Sequence, residues 1–217
     1  MKLIDFAIIA EAGFSDEVAV NRRCLHIAEA VRMELGIRPP IHAPFRKIVV
    51  NLHNPEASTT KNKSVRVGSV VEVRAEVAES VVFSDYNKFR PHLLDAVERG
   101  VEEISELLGW PFQEVKEILN SIRGREQVFH YHLRSLSKGD NATGRRIEVF
   151  VDMTERNSTL KAIVYTANCQ VVKEEIVAAN QQPIPLEYFF PVASTMIRDG
   201  FMIFRDANRK TICKIKV

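Results

Sequence analysis

The sequence predicts an α+β fold: a largely antiparallel sheet with an N-terminal helix and a central helical hairpin packed on one face. Three observations predict it. Strand-like segments follow one another in runs instead of alternating strictly with helices, which argues against a doubly wound parallel sheet. One long segment, residues 89–123, keeps a 3.6-residue apolar period. The second half reads as strand after strand, separated by turns rich in Gly, Asn and Pro. At 217 residues, 46% hydrophobic and 27% charged, the chain is long enough to bury a core and too apolar for wholesale disorder.

Residues 2–10 read as a strand apolar on both faces, as a central strand would be. Residues 16–35 then place Val20, Cys24, Ile27, Val31 and Leu35 on one helical face. Ser15 or Asp16 suits the N-cap and Gly36 the stop. His26 falls off that stripe and is expected in solvent. Pro39, Pro40 and Pro44 stiffen the next connection. Strands are expected at 45–53 and 65–78. In the second, Val67, Val71, Val73, Ala75 and Val77 alternate with Arg66, Glu72, Arg74 and Glu76, the pattern of a half-buried antiparallel strand. The polar loop between them is expected to be mobile.

In the central stretch, Phe89, Leu93, Leu94, Val97, Val101, Ile104, Leu107 and Leu108 share one helical face. Pro91 suits a first turn, Gly109 a stop and Pro111 a restart that carries Val115, Ile118, Leu119 and Ile122 inward. Gly100 either separates two pieces or sits in one continuous helix at a cost of about 1 kcal/mol relative to Ala. Strands follow at 127–136, 145–153, 160–167 and 170–178. Pro183, Pro185 and Pro191 predict a bend, with a short helix near 192–197, and residues 201–205 and 211–217 a closing hairpin. The organisation is a single α+β domain over 1–217, divisible into βαββ (1–83), helical hairpin (84–126) and antiparallel β meander (127–217).

Residues 101–120 resemble the helix-turn-helix of DNA-binding proteins. Ile104 and Leu108 match first-helix packing positions, Ser105 the small residue where the helices approach, and Gly109 the turn. Trp110, Val115 and Ile118 match the apolar turn and second-helix positions. The resemblance implies a preceding helix at 91–99 and a wing over the hairpin 127–151. It would aim Gln113, Lys116 and Asn120 at the major groove, with Arg134, Arg145 and Arg146 on the wing. Charge opposes this reading. Residues 101–126 hold Glu102, Glu103, Glu106, Glu114, Glu117 and Glu126 against Lys116, Arg123 and Arg125, a formal −3, whereas phosphate contacts supply most non-specific affinity. The wing is basic, with Arg134, Lys138, Arg145 and Arg146 against Asp140, which offsets the objection in part.

His130 and His132 flank Tyr131 in a strand and so share a face, as two metal ligands or a proton relay would. His53, Asp152 and Glu148 are equally open as a third ligand. Two polar residues on the wet face of a strand is the plainer reading. No GxSxG, HExxH, glycine-rich phosphate loop or dinucleotide fingerprint occurs. Cys24 and Cys213 suit small buried hydrophobes, and the cysteine spacing argues against structural zinc. A net charge of +2 is too small to imply a polyanion partner by itself. No apolar run reaches about 18 residues, so no membrane span is expected, and with no secretory leader a reducing, cytoplasmic setting is. These expectations converge on a non-catalytic protein without cofactor that works through a protein partner: an inhibitor, an immunity-type antidote or an assembly subunit. A DNA-binding regulator using 101–120 and a metal-dependent enzyme at His130 and His132 are the alternatives.

Overall fold

The computed structural model describes residues 1–57, 65–125, 129–180 and 192–217, which gather into two compact units, Met1–Glu126 and Gln127–Val217. Most of the loop expected to be mobile and the proline bend over 181–191 lie outside the described residues. Helices and largely antiparallel strands make this an α+β fold.

The first unit contains β1 (Asp5–Ala12), α1 (Glu17–Ile37), β2 (Lys47–His53), β3 (Val65–Val67), β4 (Val70–Glu76), α2 (Glu79–Val82), α3 (Tyr86–Leu108) and α4 (Gln113–Arg123). Its sheet runs β1-β2-β4-β3. Here the pairing differs from expectation: β1–β2 and β2–β4 are parallel, and only the β3–β4 hairpin is antiparallel. The alternation along β4 did report half-burial, since Val71, Val73 and Ala75 are buried while Glu72 and Glu76 are exposed. A parallel sheet covered on one face produces the same pattern, so alternation does not fix strand direction. β1 lies at an edge and not in the centre. Phe6, Ile8 and Ala10 turn inward, and Ile9 is 43% exposed.

Asp16 caps α1 by accepting from the Ala19 N–H at 2.9 Å, and the helix continues through Gly36 to Ile37. His26 is fully buried, contrary to its place off the apolar stripe. α1 packs against both β1 and α4, which widens its buried arc until His26 falls inside it. The imidazole Nε2 meets the Tyr86 hydroxyl of α3. α3 is one continuous helix with no break at Gly100. A Cβ there would lie 2.3 Å from Val73 Cγ1 and 2.9 Å from the Arg74 carbonyl oxygen, so the glycine is where helix and strand touch. Pro91 falls inside α3 instead of its first turn, because the helix starts at Tyr86 with Asp85 as its cap. Gly109 ends α3 in the left-handed region at φ +60°, a conformation glycine adopts without penalty. The Trp110 indole then donates to the His42 carbonyl at 2.9 Å. Val115, Ile118, Leu119 and Ile122 of α4 turn inward as expected.

The second unit contains β5 (Phe129–His132), β6 (Lys138–Asp140), β7 (Arg145–Met153), β8 (Ser158–Tyr165), β9 (Val171–Asn180), β10 (Ser194–Arg198), β11 (Phe201–Arg205) and β12 (Thr211–Lys216). One sheet is ordered β5-β7-β8-β9 with β6 beside β7, the other β10-β11-β12, and every pairing is antiparallel. Ile147, Val149, Val151, Met153, Leu160, Ala162 and Val164 form the inner face of the first sheet. The helix expected near 192–197 is strand β10 instead. Asp199 and Gly200, at φ +52° and +75°, make a two-residue turn that folds 194–198 onto β11. Among the described residues no helix is long and apolar enough to cross a membrane.

Candidate functional site

The residues singled out from sequence fall in both units. Gln113 and Asn120 are exposed on α4. Gln113 donates to Glu117 at 3.5 Å, and Asn120 accepts from Arg123 at 2.6 Å. Lys116 pairs with Glu98 of α3 at 3.2 Å and lies over the Phe112 ring at 5.7 Å. Arg123 reaches Asp95 at 2.8 Å and Glu98 at 2.5 Å. Burial alone would raise the Glu98 carboxyl, but hydrogen bonds from Arg123 and Lys116 hold it below its usual range. The cations of α4 thus bind α3, a cost to any phosphate that would claim them. A cleft of about 260 Å³ beside them, lined by Asn87, Arg90, Pro91, Leu94 and Arg123, has both guanidiniums engaged: Arg90 donates to the Ile122 and Arg125 carbonyls.

Arg134 and Arg146 are exposed and Arg145 is half-buried, all in the second unit, with Arg146 paired to Glu148 at 2.8 Å. His130 and His132 do share the outer face of β5, whose Phe129 and Tyr131 point inward. Their partners differ. His130 Nδ1 lies 2.5 Å from Asp152 Oδ1, while His132 Nε2 lies 3.0 Å from the Ser137 hydroxyl and its ring stacks on Phe150 at 5.0 Å. Among the described residues no group of three or more His, Cys, Asp or Glu could hold a metal ion.

The outer face of the β5-β7-β8-β9 sheet is organised around those histidines. From His130 and Asp152, Asp152 Oδ2 continues to Lys161 Nζ at 2.8 Å and Lys161 to Glu174 at 3.3 Å, so a ladder of charges crosses all four strands. Burial would lower the Lys161 pKa, but hydrogen bonds and charge from Asp152 and Glu174 hold it above its usual value. Beyond the ladder the face turns apolar. Edge strand β9 has no buried residue, and Val171, Val172 and Ile176 are 61%, 50% and 64% exposed. Its pairing with β8 skips at Val172 and Val177. Bulges and the charged run Lys173–Glu174–Glu175 are devices that discourage strand addition. What β9 offers is side chains.

Sequence reasoning passed over a second cluster, at the carboxyl ends of the parallel strands, where ligands of open α/β sheets bind. His53 Nε2 approaches Glu11 Oε2 at 2.5 Å without hydrogen-bond alignment, and the imidazole is buried. Asn54 donates to the Gly13 carbonyl at 2.9 Å, and Glu79 accepts from the Ser15 N–H at 2.7 Å and from its hydroxyl. These bonds tie the ends of β1, β2 and β4 together. Only the parallel pairing, invisible in the alternation, brings them to one edge.

Comparison with protein-family models, with curated proteins and with solved structures finds no match.

Proposed function

We propose that the protein is a non-catalytic protein–protein interaction module, of the inhibitor, immunity or assembly-subunit kind, and that it docks through the outer face of the β5-β7-β8-β9 sheet. One observation carries this reading: β9 ends that sheet with no buried residue and with Val171, Val172 and Ile176 open to solvent. Apolar side chains gathered on one exposed strand, beside the charges of Lys161 and Glu174, supply the apolar centre and polar rim of an interface. The bulges direct a partner to the face and rim instead of the backbone edge.

The test is native co-purification of the full chain beside a Val171→Ser, Ile176→Ser double variant. A stable partner held by the parent and lost from the variant supports the reading. A partner retained equally by both, or none under native conditions, sinks it. A second reading, the helix-turn-helix regulator, draws on the four-residue turn between α3 and α4 and is opposed by the inward engagement of Lys116 and Arg123. Duplex DNA binding at low salt that weakens on Lys116→Ala would favour it.

A further inference from the structure

Charge is unevenly shared along the chain. Residues 1–126 hold 17 Lys and Arg against 19 Asp and Glu, a formal −2, and residues 127–217 hold 13 against 9, a formal +4, together the net +2 of the whole. The excess of the second unit sits in its last segment. Residues 192–217 carry Arg198, Arg205, Arg209, Lys210, Lys214 and Lys216 against Asp199 and Asp206, which alone amounts to +4.

The β10-β11-β12 sheet places four of these cations on one face, while Arg209 and Lys210 lie with Asp206 in the turn between β11 and β12. Register places Arg198, Phe201 and Lys216 in one row across the three strands, and Ile203 beside Lys214 two residues along, with Arg205 beyond. The opposite face is core: Met202, Phe204 and Ile215 are at most 1% exposed. Thr195 on that inner face donates to the Leu136 carbonyl at 2.7 Å, which seats it against the β5–β6 connection. The basic face therefore looks away from the first sheet. Among the described residues it carries no acidic side chain, since Asp199 and Asp206 belong to the turns. Phe201 stands 39% exposed in the central strand, while Ile203, two residues along on the same face, is buried. Lys214 and Lys216 are exposed and Arg205 is half-buried, its Nε buried with no hydrogen-bond partner among the described residues. Arg198 pairs with its exposed neighbour Asp199 at 3.3 Å, a contact of little energetic weight.

We propose that this face binds single-stranded nucleic acid: backbone phosphates lie along Arg198, Lys214, Lys216 and Arg205, and a base stacks on Phe201. Charge complementarity favours a polyanion, and the aromatic ring between two cations in one row favours one whose units have a flat π-face. An acidic peptide would leave that ring unused, and a duplex keeps its bases paired and out of reach. This goes beyond the protein-partner reading and rests on a different surface.

The experiment is fluorescence anisotropy with labelled oligouridylate and oligothymidylate of about 20 nucleotides, a length that exceeds the site of one binding fold. Both should bind at low salt, with log K falling against log salt by about 0.7 per phosphate contact, about 3 for four contacts. Unequal affinities would identify the ribose or deoxyribose strand as the natural ligand. Lys214→Glu with Lys216→Glu should weaken binding about tenfold or more, and Phe201→Ala about tenfold. Arg198→Glu, at an open turn-proximal site, stands in if the double variant does not fold. Val171→Ser with Ile176→Ser should leave oligonucleotide affinity unchanged, so the two surfaces fail or succeed separately. No binding at low salt, binding indifferent to the lysine reversals, equal competition by poly-glutamate, or equal affinity for duplex overturns the proposal.

Discussion

The two units spend the same kinds of residue in opposite ways. In the first, polar side chains are drawn inward as fasteners. His26 is sealed between α1 and α3, Lys116 and Arg123 clasp α4 to α3, and Gly100 lets α3 rest on β4. In the second, the strands bury one face and expose side chains on the other, among them Val171, Val172 and Ile176 on β9 and Arg198, Phe201, Lys214 and Lys216 on β10–β12. Buried polar fasteners raise the stakes of local chemistry, because a group that loses its partner inside the protein bears the full desolvation cost. Open faces lower those stakes and free their side chains for recognition. Substitutions and acid should therefore wound the first unit in stability and the second in binding.

Acid should have the largest effect. Burial, with the Arg90 charge in support, pushes the His26 pKa down to about 3 from 6.5. Below pH 6.5 the unfolded chain takes up a proton that the folded chain refuses until about pH 3. Stability contributed by neutral His26 is thus complete above the unfolded pKa and drains away as pH falls toward 3. The slope approaches about 1.4 kcal/mol per pH unit, with a total on the order of 5 kcal/mol. Urea titrations between pH 7 and pH 4 should reveal it, and a His26→Leu variant should flatten the slope. An unchanged slope in that variant would mean other groups govern the acid limb.

Gly100→Ala comes next. The helix gains about 1 kcal/mol in propensity, yet the new methyl lands on Val73 and the Arg74 carbonyl. Overpacking of this kind costs about 1–3 kcal/mol, so we expect a net loss of about 1 kcal/mol in chemical denaturation. A neutral or stabilised variant would show that α3 can lift from β4 cheaply.

How much of this was written in the sequence follows from the period of each signal. The span of β7, the α4 core residues and the outward pairing of His130 with His132 come directly from periods of two and 3.6. Strand direction does not, because a half-covered strand alternates whether its neighbour is parallel or antiparallel. That ambiguity hid the Glu11, His53 and Asn54 edge. His26 was misplaced because one apolar stripe describes a helix with a single neighbour, and α1 has more. Strand β10 was legible and overlooked: Asp199–Gly200 between apolar pairs is a strong hairpin signal, obscured by the prolines before it. The alternation of Lys214, Ile215 and Lys216 lies in the closing hairpin that the sequence does predict, borne out by the β11–β12 pairing; what the unread β10 adds is Arg198 opposite Phe201.

A smaller effect should follow from opening the charge ladder. Lys161→Met removes the link between Asp152 and Glu174 while keeping the aliphatic stem. Partly solvent-exposed pairs are worth about 1 kcal/mol or less, so the thermal midpoint should shift by only a few degrees. A loss several times larger would mean that the ladder is structural in the manner of the first unit, and the contrast between the units would weaken.

The Val171→Ser, Ile176→Ser variant should have the least effect on stability, within about 0.5 kcal/mol, since exposed substitutions away from caps and cores rarely do more. It is also the sharpest discriminator. If β9 were apolar only because the chain tolerates apolar residues on its surface, the variant would be silent in every assay. If β9 is a docking strip, the folded protein should be indistinguishable in denaturation while its partner is lost, a separation of stability from binding that a core defect cannot imitate. A substantial destabilisation would place these side chains among the fasteners, and the second unit would have to be read like the first.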